Sequence, residues 1–226
     1  MTQIFKIIER SFADTGVDGG LAKAVAAENI LAIKLYLTVG QNIDARDNHG
    51  MTLLQIAAAE GKKNSVAALL RFGANPNLTG GPAGYTAAHF AVYSDNHVAL
   101  TLIARASQNI DLRDLSGQTP LHLAAYTGRA QCCFNLLRHG ADFTAKNSQG
   151  HTAKEIVLQR INELSEWQDK AQYQPLARMF ASLEDAGHNL RGQFLDSCIL
   201  DTAMDIQSLD FSQALKRSPR RIFTRY

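Results

Sequence analysis

The sequence predicts an all-α solenoid: a row of short helix pairs joined by finger-like loops, with further helices at both ends. Three observations predict it. A Gly-x-Thr signal recurs as Gly50-Met51-Thr52, Gly84-Tyr85-Thr86, Gly117-Gln118-Thr119 and Gly150-His151-Thr152, at spacings of 34, 33 and 33 residues. A fixed period of that length marks stacked structural repeats. Each signal is followed by small and apolar residues at helical spacing, punctuated in the second and fourth units by Gly61 and Gly73 and by Gly128 and Gly140. Glycine at those places accepts the left-handed backbone that ends a helix. Finally, a 46% hydrophobic share with a net charge of +2 suits a folded chain, and no apolar run approaches the roughly 18 residues of a membrane span.

Taken in order, residues 1–16 place Ile4, Phe5, Ile8 and Phe12 on one face of an amphipathic helix. Terminal repeats need an outer cover, so this helix is expected to cap the N-terminal end of the stack. A membrane-surface helix is the alternative, with only Lys6 and Arg10 to attract anionic lipid. The first residues lack the pattern of a secretory signal. The first unit is degenerate: Leu21, Ala24 and Val25 fit a first helix, Ile33, Leu35 and Leu37 a second, and Gly40 closes it. In the second unit Thr52 opens a helix and Val66, Leu69 and Leu70 line the next. The following loop, Thr79–Gly84, is one residue longer than the others and glycine-rich, and is expected to be the most mobile fingertip.

The third unit departs from the pattern at Asp95 and Ser107, which stand where glycines are expected. Each costs about 1 kcal/mol if the left-handed geometry is kept, and Asp tolerates it better than Ser. The fourth unit, Thr119 to Asp142, is the most regular. Pro120 suits the first helical turn, Thr119 can cap it, and His122 is placed to hydrogen-bond across units. A fifth unit starts at Thr152, but Lys154, Glu155, Gln159 and Arg160 are too polar for an interior repeat. The reading is therefore a closing cap whose second half never returns. Residues 163–215 are expected to form a helical extension, either a further cover for the stack or a small bundle of its own, with Leu176, Met179, Phe180 and Leu183 on one face and Phe194, Leu195, Cys198, Ile199 and Ile206 on another. Residues 216–226 are a tail with five basic and no acidic side chains, following a stretch, 151–215, with five basic and ten acidic.

The Thr-Pro-Leu-His run at 119–122, its variant Thr86-Ala87-Ala88-His89 and the 33-residue period resemble the ankyrin repeat. The resemblance covers residues 17–162 as four repeats and a half-repeat cap; the first unit lacks the Thr-Pro-Leu-His signature. It implies protein binding without catalysis, through a concave groove lined by fingertips and first helices. The candidate partner contacts are the residues between glycine and threonine (Met51, Tyr85, Gln118, His151), the fingertips (Arg46, Asp47, His49, Arg113, Leu115), and Tyr93 and Tyr126 at first-helix ends, aligned there with Glu60. Tyrosines anchor interfaces through an apolar body and polar tip, and Arg46 and Arg113 could clasp partner carboxylates. The partner is expected to be a protein rather than nucleic acid. The chain is expected to be monomeric, cytoplasmic and without cofactor or metal.

Other chemistry finds little support in the residues. Cys132 and Cys133 are neighbours on a helix and point about 100° apart, and Cys133 falls at an apolar repeat position. Three cysteines form no disulfide framework. His89 and His122 share one repeat position, which favours a structural hydrogen bond over acid–base work. No phosphate loop is present. Two further readings remain: an adaptor that the basic tail sends to nucleus or membrane, including a bacterial protein delivered into a host cell, and an enzyme whose site lies in the C-terminal helices, with Cys198 its nucleophile candidate.

Overall fold

The structure, a computed structural model, describes residues 19–164 and 170–185. Among these residues all regular structure is helical apart from two isolated bridges, Arg46 with Thr52 and Gly80 with Tyr85. Ten helices alternate as first and second members of five pairs: α1 (Gly19–Ala26) and α2 (Ile30–Thr38), α3 (Leu53–Ala59) and α4 (Lys63–Arg71), α5 (Ala87–Tyr93) and α6 (His97–Ala106), α7 (Pro120–Tyr126) and α8 (Ala130–Arg138), α9 (Ala153–Glu163) and α10 (Gln174–Asp185). First helices pack on first helices and second on second along the array, giving two helical layers with fingers projecting from one edge. The predicted all-α repeat architecture is the observed one.

The helices are too short to persist alone, so their ends and their packing must hold them. Thr52, Thr86, Thr119 and Thr152 each accept a hydrogen bond from the backbone N–H three residues on, and the side chain at that third position accepts one from the threonine N–H. Each such reciprocal cap contributes about 1 kcal/mol. Between them runs a continuous core of Leu54, Ala57, Ala58, Leu69, Ala88, Ala91, Leu100, Ile103, Leu121, Ala124, Leu136 and Val157. Alanine dominates the first-helix positions because a small side chain lets neighbouring helices approach closely.

Asp95 adopts φ +54°, the left-handed backbone expected of the glycine it replaces, and Glu28 does the same in the first unit at φ +52°. Ser107 does not: at φ −76° and ψ 137° it is extended. Helix α6 runs on to Ala106, and the Ser107 hydroxyl donates to Asn77 Oδ1 at 2.5 Å in the preceding unit. The irregular serine thus avoids the strain and ties two units together.

The fifth unit requires a correction. Its second half does return, as α10, which packs on α9 and touches α8 just as α8 packs on α7 and touches α6. Tyr173, Leu176, Met179, Phe180 and Leu183 are buried in the common core. Only the connection differs. Three residues join α7 to α8, whereas ten, Leu164–Tyr173, separate α9 from α10. The array therefore extends past residue 162. The expected capping helix at 1–16, the second face of the 163–215 extension and the basic tail 216–226 lie outside the described residues.

Candidate protein-binding face

The finger edge is built by one local device used three times. Asp47 Oδ1 accepts from the N–H groups of His49 and Met51, Asp114 Oδ1 from those of Ser116 and Gln118, and Asn147 Oδ1 from those of Gln149 and His151. An Asp or Asn that bonds its own backbone two residues on fixes a tight turn. Consecutive fingers are then tied together. Arg46 Nη1 donates to Gly50 O and to Thr79 O, both at 2.6 Å. Arg113 Nη1 donates to Gly117 O at 2.9 Å and to Lys146 O. The two arginines, proposed from sequence to clasp a partner, thus have these Nη1 donors engaged by carbonyls of their own and the next finger.

The residue three places after each threonine reaches in the same direction. Gln55 Nε2 donates to Leu78 O at 2.6 Å and Tyr85 O at 3.1 Å; His89 Nε2 donates to Gln118 O, and His122 Nε2 to His151 O, each at 3.1 Å. Nδ1 of His89 and of His122 meanwhile accepts from the N–H of Thr86 and of Thr119. Both imidazoles are therefore neutral with the proton on Nε2. Burial lowers the His89 pKa to about 4, and burial also lowers that of His122. Their role is the structural one expected.

The glycine-rich loop at 79–84 is a packed one. A Cβ on Gly80 would stand 2.3 Å from Gln55 Oε1 and 2.5 Å from Gly50 O, and one on Gly84 would stand 2.8 Å from Leu115 Cγ. Glycine there permits close approach between fingers.

A small apolar cluster separate from the main core sits beside these loops: Met51 and Ile56 with Phe90 packed on them. The Tyr85 ring meets Phe90 edge-on at 5.5 Å and stacks on His89 at 5.2 Å. Burial raises the Tyr85 pKa, and the charges of Asp114 in the next finger and of Tyr93 add to it. Beyond it stand Leu115, 79% exposed at the third fingertip, and Tyr93 and Tyr126, each about half exposed at the last turns of α5 and α7. The Arg160 guanidinium lies 4.9 Å from the Tyr126 ring centroid while its Nη1 pairs with Glu163 Oε2 at 2.9 Å.

Of the residues singled out from sequence, then, the structure sets Leu115 against Gly84, next to Tyr85, with Tyr93 at the end of the same unit's first helix and Tyr126 at the equivalent place one unit along. Met51 is buried, Asp47 shapes its turn, Gln118 and His151 are half-buried and lend their carbonyls to the histidines, and His49 is exposed. One register needs correcting: Ala59, not Glu60, ends α3 as Tyr93 ends α5. Phe90, Arg160 and Tyr173 were missed. Phe90 could have been found by its place three residues before Tyr93, on the same helix face.

Both cysteines of α8 are fully buried. Burial, reinforced by Asp95, pushes the Cys132 thiol up to about 12, and burial holds that of Cys133 well above its usual range. Neither is an activated nucleophile. Cys198 lies outside the described residues. Among the described residues no group of three or more His, Cys, Asp or Glu is placed to hold a metal ion, and no helix is long and apolar enough to cross a membrane.

Comparison with known proteins adds the family. A model of ankyrin repeats in three copies matches residues 21–114, and a single ankyrin-repeat model matches 116–148; together they cover more than half of the chain. The chain is 28% identical over 163 residues, 56% of its length, to the putative palmitoyltransferase ZDHHC13 of Danio rerio, covering 25% of that protein. It is 40% identical over 93 residues, 40% of its length, to ankyrin repeat domain-containing protein 13B of Mus musculus, covering 15% of it. It is 28% identical over 129 residues, 57% of its length, to SH3 and multiple ankyrin repeat domains protein 2 of Homo sapiens, covering 7%. The chain thus spans a quarter or less of these relatives. Ankyrin repeats are protein-interaction modules, and the repeats matched, with the paired helices and fingers described above, make this chain a member of the ankyrin-repeat family.

Proposed function

We propose that this chain is a non-catalytic adaptor, scaffold or inhibitor that binds one partner protein across the fingers and first helices of its third and fourth repeats. The observation that carries the reading is the exposure of Tyr93, Leu115 and Tyr126, with the half-buried Tyr85–Phe90 pair beside Leu115. Large aromatics with polar tips, held on rigid helices and turns, form anchors that lose little entropy on binding. Exposed apolar groups gathered on one face are the usual mark of an interaction site. Arg160 beside Tyr126 adds a cation next to an aromatic surface.

The palmitoyltransferase name belongs to a relative of which this chain covers a quarter, and we extend no catalysis from it. Cytoplasmic residence and a monomeric state are part of the proposal. So is the role of the basic tail, which would alter where the protein goes rather than what the repeats bind.

Affinity capture from lysate tests the reading with three full-length or near full-length baits: the intact chain, the Tyr93→Ala/Leu115→Ser/Tyr126→Ala variant, and the chain ended after Asp185. Loss of the captured protein with the triple variant and retention by the shortened chain is the expected result. Retention by the triple variant with loss on shortening would move the function to residues 186–226.

A further inference from the structure

The second helices of the first four units carry an unbalanced charge. In α2, α4, α6 and α8 there is no aspartate or glutamate, against Lys34, Lys63, Arg71, Arg105 and Arg138. The three arginines hold one repeat position, in the last turn of successive helices. Those helices pack side by side, so the arginines form a column with a pitch of about 10 Å. All five cations are exposed, and among the described residues none of them is held in an ion pair. Burial lowers the pKa of His139, which follows Arg138, and the charges of Arg105 and Arg138 lower it further, as a positive field does. Helix stability does not explain the pattern. A cation suits the C-terminal end of a helix, but the N-terminal end favours an anion, and there stand Lys63 in α4 and His97 in α6. The carboxylates that follow these helices are engaged elsewhere: Asp44 accepts from Asn75 N at 3.0 Å, and Asp111 from Asp142 N.

We propose that this second-helix face rests on the surface of an anionic phospholipid bilayer, leaving the first helices and fingers free for a partner protein. Four helices of nine or ten residues, side by side, make a face of roughly 30 by 14 Å. Lys34 and Lys63 widen the column of arginines into a field of charge, which is what a sheet of headgroups matches and a single acidic segment does not. The exposed apolar groups among the cations, Leu31 and Val98 at one repeat position, are aliphatic. Cations beside aliphatic groups suit the headgroup boundary of a bilayer, whereas single-stranded nucleic acid is held on aromatic platforms. Each basic residue brought to an anionic leaflet strengthens binding roughly fivefold. The proposal stands apart from the partner-binding reading, because the two faces belong to different helical layers.

Co-sedimentation of the full chain with phosphatidylcholine vesicles, with and without phosphatidylserine, tests this. Four proteins are compared: the native chain, Arg71→Gln/Arg105→Gln/Arg138→Gln, the same three positions changed to lysine, and a chain with Lys216, Arg217, Arg220, Arg221 and Arg225 of the tail changed to glutamine. The three arginines are exposed, so the urea midpoint should stay where it is in the glutamine variant. The native chain is expected to bind only the vesicles that contain phosphatidylserine, and less as salt is raised. The glutamine variant should bind them roughly 100-fold more weakly, and the lysine variant as the native chain does. Native protein that ignores phosphatidylserine would overturn the proposal. So would undiminished binding by the glutamine variant, and its loss in the tail variant would then make the tail the anchor. A protein captured from lysate by the native chain but not by the glutamine variant, without vesicle binding, would also overturn it and give the face to an acidic protein.

Discussion

The inner units and the last unit use the same helix start to different ends. Gln55, His89 and His122 each bond back to their threonine N–H and forward to a carbonyl of the next finger. Glu155 holds the same place in α9, bonds back to Thr152 N at 2.7 Å, and stands exposed. A carboxylate could not make the forward bond, because it has no N–H to donate. The comparison separates two roles that one residue carries: capping a helix, which any acceptor can do, and fastening the next unit, which needs a donor as well. In an array whose stability is the sum of unit and interface terms, the second role is the one that couples neighbours.

His122→Ala should have the largest effect. It empties a buried site, leaves the Thr119 N–H without its acceptor and cuts the bond to the His151 carbonyl in the next finger, for a loss of about 3 kcal/mol by urea unfolding. Glycine at position 80 is nearly as constrained: Gly80→Ala would set a Cβ against the Gly50 carbonyl, and should lower stability by about 2 kcal/mol.

His89→Gln sharpens the comparison through pH. The native state refuses a proton at His89 until about pH 4, whereas the unfolded chain accepts one near the ordinary 6.5. The unfolded state therefore binds more protons between those values. Stability is full above about pH 6.5 and falls as the pH drops toward 4. His122, also lowered by burial, adds in the same direction. Glutamine already serves at position 55, so His89→Gln should keep most of the stability at pH 7.5 while flattening the slope of unfolding free energy between pH 6.5 and 4. An unchanged slope would mean that the His89 imidazole is not buried as described.

Asp95→Ala should cost about 1 kcal/mol, because the left-handed backbone remains. Asp95→Gly relieves that strain but gives up the 2.7 Å pair with Arg129, and should be close to neutral. Glu155→Gln, with no forward bond to lose, should leave the unfolding midpoint unmoved.

Much of this was legible from residue identity alone, and what was not has physical causes. Thr119-Pro120-Leu121-His122 announced the helix start, the cap and the cross-unit bond, because all three depend on local spacing. Asp95 in left-handed backbone was legible for the same reason. Ser107 was not, since its helix lengthens by a residue and takes up the difference. Leu35 reads as core by periodicity but is exposed, because its burial depends on a preceding unit rather than on its own helix. Arg46 and Arg113 read as free fingertip charges because their acceptors, Thr79 O and Lys146 O, lie 33 residues downstream. The second helix of the fifth unit hid behind a ten-residue connection that breaks the period. Within the candidate site, Tyr93, Leu115 and Tyr126 stand exposed where the sequence put candidate contacts, while Tyr85 is half-buried; Arg160 over Tyr126 depends on packing between α7 and α9 that no local spacing encodes.

The account holds that the repeat-signature residues stack the units and that the exposed Tyr93, Leu115 and Tyr126 bind. The most direct test measures both quantities on one variant, Tyr93→Ala/Leu115→Ser/Tyr126→Ala: its urea midpoint, and its affinity for the protein captured by the native chain. An unchanged midpoint with affinity reduced about 100-fold, some 2.7 kcal/mol, is the predicted result. Native affinity with an unchanged midpoint would contradict the account and place the binding surface elsewhere on the array.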